Sequence, residues 1–257
     1  MHGMARWRAW AGALALALAL SAAFALLPLP GGDDWETFAG AARRITAGAP
    51  LYGQPITHSY YANPPWLAAL LLPLGLLPLA WGRAGLAVLS LMLGLAVARR
   101  LELSRRRAAL VLLSPAMVYV LLLGQVDALV LGGLLLPRAA WPLVAVTKPQ
   151  VALGLPFGLR RADLAPAVAL TLSVSLLSLA VFGNWPLALW RQPAPFVLGA
   201  HNLWLGLWPF QAPVGVGLIL AGLRRRDERY LLAASPFCLP YATTSSLLGP
   251  WLAASAA

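Results

Sequence analysis

The chain of 257 residues is 60% hydrophobic and only 11% charged, with a mean hydropathy of +0.75, whereas soluble domains run about 25% charged. Its net charge of +11 does not point to nucleic acid, because eighteen of the nineteen basic residues are arginines, mostly clustered at the ends of apolar runs, as in the cytoplasmic loops of membrane proteins. One cysteine, Cys238, excludes a disulfide framework, and three scattered histidines offer no close ligand pair for a metal.

The apolar runs lack the alternation of a barrel, and in lipid the backbone must then be satisfied within helices. We therefore expect an all-α, polytopic membrane protein, with residues 1–257 as a single transmembrane domain. Eight or nine hydrophobic helical segments are predicted, some short or re-entrant.

Met1 to Arg8 is basic, and residues 9–30 are predicted as an uncleaved first membrane helix with the N-terminus cytoplasmic. Residues 31–64 then form an outer loop holding Asp33, Asp34 and Glu36. Within it Trp35, Phe38, Ala42 and Ile45 recur at spacings of three, four and three, one stripe of an amphipathic helix. Asp33 is placed at its N-cap with Glu36 as the partner of a capping box, and Gly48 at its end. Such a helix is expected to lie along the interface, with Trp35 and Phe38 in lipid and Arg43 and Arg44 near headgroups.

Residues 65–182 hold the core helices. The stretch 66–80 is broken by Pro73, Gly75 and Pro78 and reads as a shallow re-entrant element. Five arginines lie between Arg99 and Arg107. Placing them in the cytoplasm requires residues 66–98 to cross only once. The chain then returns outward to Gly124-Gln125-Val126-Asp127, and Pro149 predicts a helix broken beside Lys148. Residues 183–204 form a Trp-rich outer loop with His201 and Asn202. Residues 205–257 carry the C-terminal helices, the last of them running outward from Tyr230 to about Leu252.

Candidate chemistry centres on Asp33 and Asp34. One carboxylate suffices as general base for an inverting displacement, taking the acceptor hydroxyl's proton as the new bond forms. Either acid could instead serve its helix, by capping or by facing the positive end; the division chosen is that Asp33 caps and Asp34 reacts. Lys148 is the only lysine and lies in an apolar interval, where an ionisable group is a functional hypothesis by default. A lipid phosphate is one counter-charge for it, Asp127 beside Gln125 another, and snorkelling to the interface the plain alternative. Most tryptophans of the outer loop read as interfacial anchors, and His58 is a weaker site candidate than His201.

Taken together, these motifs resemble glycosyltransferase family 87, the GT-C-type, polyprenyl-phosphate-mannose-dependent mannosyltransferases. The resemblance rests on Asp34 with Phe38, on Ala41-Ala42-Arg43 and on Ala47-Gly48-Ala49-Pro50-Leu51-Tyr52. It continues through Tyr61-Ala62-Asn63-Pro64-Pro65, Leu72-Pro73-Leu74, Leu77-Pro78, Gly124-Gln125, Lys148-Pro149, and Asn202 with Leu205-Gly206, over roughly residues 10 to 210. Phe38 stands where the family's pattern carries tyrosine, and few helices follow the histidine loop. The resemblance implies an acidic general base in the first outer loop, assigned to Asp34 first and Asp33 second. It also implies a polyprenyl-phosphate-sugar donor loaded from the outer leaflet and inverting transfer to a glycolipid or glycan acceptor. Lys148, Gln125, His201, Asn202, Tyr61 and Arg43 are the expected substrate-binding residues, with no metal and no cofactor. The rival readings are a transporter or lipid flippase, and an inactive shortened relative.

Overall fold

The computed structural model describes residues 15–27, 30–193, 199 and 201–256, and among them every regular element is helical, with one isolated bridge between Ile56 and Ser59. The first predicted helix falls partly outside the described residues; within them α1 runs Ala15–Leu26.

Helix α2, Asp33–Thr46, follows its predicted stripe, with Trp35, Phe38, Ala41 and Ala42 buried. Two expectations about it are corrected. Its N-cap is Gly32, not Asp33, and there is no capping box. Gly31 and Gly32 sit at φ +73° and +104°, a conformation cheap only for glycine, and this swings the chain so that Asp33 is already helical. The Glu36 amide donates to the Gly32 carbonyl at 2.9 Å, and Asp33 is exposed. Nor does the aromatic stripe face lipid. It packs in a protein core with Tyr61, Leu67, Leu71 and Leu86, because α3 (Pro65–Leu70), α4 (Leu72–Gly75) and α5 (Leu79–Arg100) cover it. Arg43 ties the helix down by donating to the carbonyls of Gly75 at 3.0 Å and Leu77 at 3.1 Å.

Further along, glycines and prolines chop the apolar chain into short pieces. These are α6 (Arg105–Leu112), α7 (Pro115–Leu123), α8 (Asp127–Leu131), α9 (Trp141–Thr147) and α10 (Pro149–Ala152). Then come α11 (Arg161–Phe182), α12 (Trp185–Trp190), α13 (Ala212–Arg225), α14 (Glu228–Ala234) and α15 (Leu248–Ala256). Among the described residues, only α5 and α11 are long and apolar enough to cross a membrane, with a third span if α6 and α7, bent by 47°, count as one. The eight or nine predicted segments are thus not eight or nine spans. Residues such as Pro115, Pro142 and Pro149 each sit in the first turn of a new helix, since proline fits the first helical turn but not the interior.

At 22 residues each, α5 and α11 are about 33 Å long, enough for a hydrocarbon core of about 30 Å. Leu172, Leu176, Leu177 and Val181 of α11 are 55–66% exposed. An uncovered apolar stripe of this kind is stable against another apolar phase rather than water, which supports association with a membrane.

The two ends of α5 differ in chemistry. Near its start, the Trp35 Nε1 donates to the Leu79 carbonyl at 2.9 Å, and Arg83 donates to the carbonyls of Pro30, Gly31 and Leu122. At its finish, Arg100 meets Glu228 at 2.7 Å and Arg138 reaches the same carboxylate at 3.5 Å. The acidic helix therefore sits at one end of α5 and the arginine clusters near residues 100, 138 and 228 at the other. Residues 230–252 do not form one outward segment as expected. Pro236 and Pro240 interrupt it, and α15 runs back until the Ala256 carbonyl accepts from Arg229 beside the start of α14.

The sidedness of these ends is open to a direct test. In a Cys238→Ser background, His58→Cys is expected to react with an impermeant thiol reagent in intact cells and Ser104→Cys to stay protected, since both sites are exposed and the positive-inside bias predicts a cytoplasmic arginine-rich end. Labelling at position 104 from outside would reverse the orientation.

Candidate active site

A cavity of about 670 Å³ opens at the acidic end. Its wall takes Asp34 and Phe38 from α2, residues 58–60 and 62–64, the break between α9 and α10, Trp185 and Leu189 of α12, and residues 239–241 with Thr243.

Lys148 occupies the break itself. It closes α9 and opens α10 at φ −151° and ψ 86°, outside the helical region, because Pro149 takes the first position of the next helix. Its ammonium donates to the Gln125 Oε1 at 2.5 Å and pairs with the Asp127 carboxylate. Gln125 in turn donates from Nε2 to the Asp34 Oδ2 at 2.6 Å. Four polar side chains from three separate stretches thus form one chain, Asp34–Gln125–Lys148–Asp127. Gln125, Lys148 and Asp127 are 8%, 6% and 0% exposed, and the Asp127 Oδ1 has no hydrogen-bond partner among the described residues.

Gly124 makes the first link possible. It ends α7 at φ +70° and ψ 42°, and a Cβ there would lie 2.4 Å from the Trp35 Cβ. Only a bare backbone lets α7 approach α2 closely enough for Gln125 to reach Asp34. Gly124→Ala is accordingly expected to cost about 1–2 kcal/mol for the left-handed backbone and about 1–3 kcal/mol for overpacking. A thermal midpoint unchanged from wild type would show that the approach is not needed.

Asp34 is the titrating group of interest. Burial pushes its carboxyl above the ordinary 3.8; Lys148 and the Gln125 hydrogen bond pull it back, and Asp127 and Asp33 add smaller upward pushes. Two carboxylates and one ammonium share the chain, so the cluster carries a net negative charge with Asp34 ionised. That arrangement suits a carboxylate that accepts a proton readily and sits at a cavity edge.

The remaining predicted residues lie elsewhere. Asp33 is on the exposed side of α2. Tyr61 is wholly buried behind the wall, donating to the Pro64 carbonyl at 2.8 Å and meeting Phe38 edge-on at 6.3 Å between ring centroids. Arg43 is on the carbonyls described above, outside the cavity lining. His201 is exposed and does not line the cavity, whereas His58 does. Asn202 works one layer back. Its Nδ2 donates to the Pro240 carbonyl at 2.9 Å and its Oδ1 accepts from the Ala242 amide at 3.2 Å, fixing the wall at 239–243.

Several residues on or behind the wall were not among the expected site residues. Asn63 donates to the Thr147 carbonyl at 2.8 Å, and the Trp66 Nε1 donates to the Thr147 Oγ1 at 2.8 Å, lashing the 58–66 stretch to the helix break. Tyr241 and Thr243 also line the cavity; they follow a proline in an apolar run, with no spacing to mark them. Among the described residues, no group of three or more His, Cys, Asp or Glu side chains is placed to hold a metal ion. No family model, curated protein or solved structure matches the chain.

Proposed function

We propose that this protein is an integral membrane glycosyltransferase of the GT-C type, a relative of glycosyltransferase family 87. It moves a sugar, in our reading mannose, from a polyprenyl-phosphate donor to an acceptor hydroxyl of a glycolipid or glycan at the outer face. The observation that carries this reading is the half-buried carboxylate of Asp34, linked through Gln125 to Lys148 at the edge of a cavity of about 670 Å³.

In the reaction the acceptor oxygen attacks the anomeric carbon while the bond from that carbon to the phosphate oxygen breaks. The bonding pair leaves with the phosphate, and the acceptor's proton passes to Asp34. Gln125 holds the Oδ2 of Asp34, which leaves Oδ1 for the acceptor. Lys148 uses two of its three N–H donors on Gln125 and Asp127, and the third is assigned to the departing phosphate. Inversion at carbon converts a β-linked donor into an α-mannoside.

The test is sugar transfer by the purified protein in lipid, given radiolabelled polyprenyl-phosphate mannose and a panel of glycolipid acceptors. A labelled α-mannoside supports the reading, and a folded protein that transfers to none of them overturns it. One observation favours a second reading. A buried Asp–Lys pair at a helix break also suits a transporter, which binds substrate at discontinuous helices. Transport would show as uptake into sealed vesicles with no glycosidic product.

A further inference from the structure

A second cavity, of about 340 Å³, lies at the arginine-rich end. Arg138, Arg160 and Arg226 stand on its wall, from the turn before α9, the residue before α11 and the residue that closes α13. Two acids share that wall, and both are already engaged from outside. Glu228 is held by Arg100 at 2.7 Å, besides Arg138 at 3.5 Å, and Asp227 by Arg229 at 2.6 Å. Neither Arg100 nor Arg229 lines the cavity.

Arg138 is fixed in place, donating to the Gly158 carbonyl at 3.1 Å and lying 5.1 Å over the Trp141 ring. Arg160 and Arg226, by contrast, form no ion pair among the described residues. Arg226 also sits at φ +53° and ψ 40°, the left-handed position after a helix where glycine is favoured and side chains are not. A strained cationic residue on a cavity wall invites a binding explanation. The rim is apolar: Phe157 is 50% exposed and Leu223 46%.

We propose that this cavity binds a phosphate group, and specifically the headgroup of an anionic phospholipid. Arg160 and Arg226 donate charge-assisted hydrogen bonds to the phosphate oxygens, and the acyl chains leave over Phe157 and Leu223. Basic pockets between helices at the cytoplasmic end of membrane proteins take headgroups in this way. The proposal does not depend on the chemistry of the first cavity.

The experiment uses the full chain purified in detergent. It is titrated with phosphatidylglycerol, with phosphatidylcholine of the same acyl chains, whose choline offsets the phosphate charge, and with inorganic phosphate. Lipid retention is read by native mass spectrometry and stability by thermal unfolding. Phosphatidylglycerol is expected to be retained about tenfold or more over phosphatidylcholine, the scale of a hydrogen bond to a charged group. Arg160→Gln and Arg226→Gly should each lose most of that preference. Arg226→Gly is the informative variant, because glycine suits the left-handed backbone, so its unfolding midpoint without lipid should equal or exceed the wild type's. Stabilisation by inorganic phosphate alone, lost in the same variants, supports a phosphate site whose ligand is free phosphate. Equal retention of the two lipids overturns the proposal, as does undiminished phosphatidylglycerol retention in the double variant.

Discussion

Replacing Asp34 by asparagine is expected to lower turnover by about 10²–10⁴-fold, the usual contribution of a general base, while donor binding persists. Asparagine keeps the shape and still accepts from Gln125, but it cannot take a proton. Asp33→Asn is the control: Asp33 is exposed and does not cap α2, so it loses only its attraction to the helix terminus, about 0.3–1 kcal/mol. Because burial raises the Asp34 carboxyl above 3.8, activity should fall on acidification at a higher pH than an ordinary aspartate would give, and this limb should vanish with Asp34→Asn. The sign for stability runs the other way. A carboxyl whose folded value is raised favours the fold below its unfolded value and loses that contribution as pH rises through the folded one. Asp34→Asn should therefore be at least as stable as wild type at neutral pH. A stable, fully active Asp34→Asn protein would remove the catalytic reading of this loop.

The second large effect concerns the buried pair. Removing one member of such a pair leaves an uncompensated charge, at about 3–5 kcal/mol, so Lys148→Met and Asp127→Leu should each lower the thermal midpoint steeply. The double variant should recover most of the loss, because an apolar pair of similar volume is often neutral or better in a low-dielectric site. Recovery of the fold then isolates the role of Lys148. If its ammonium holds the donor phosphate, the stable double variant should still bind donor about ten- to a hundredfold more weakly, as for a hydrogen bond to a charged group. Single variants with wild-type stability would mean that the pair is solvated in the working protein.

The parts of the site legible in the sequence were those where polarity interrupts an apolar run. Asp34, Gln125 and Lys148 each stood out that way, and the structure brings them into one hydrogen-bonded chain. Helix α2 was legible from its stripe of Trp35, Phe38 and Ala42, but its start was not, because two left-handed glycines look like any loop until their φ angles are known. The expectation of lipid contact for that stripe failed for a related reason. Periodicity shows that one face is apolar, not whether lipid or α3 and α4 will cover it. Asn202 was singled out for binding, yet its bonds go to Pro240 and Ala242; an amide that holds a wall and one that holds a ligand look alike in sequence. Which of the eight or nine apolar segments are long enough to span was not legible, because hydropathy records apolar length and is blind to breaks such as Ser114-Pro115 and Lys148-Pro149.

The pairing of Asp127 with Lys148 bears on biogenesis. The partners are 21 residues apart, at the start of α8 and the end of α9, arms too short to cross a bilayer separately. Each charge alone would oppose insertion by about 2.5–3.5 kcal/mol at the bilayer centre. Closed on each other, these two charges cancel and leave Arg138 at the turn as the hairpin's remaining charge, before α11 or the C-terminal helices have been synthesised. The lysine and its counter-ion can thus arrive together, with Gln125 just ahead of them in the chain, and Asp34, made 91 residues before Gln125, has only to dock against a polar core that is already assembled.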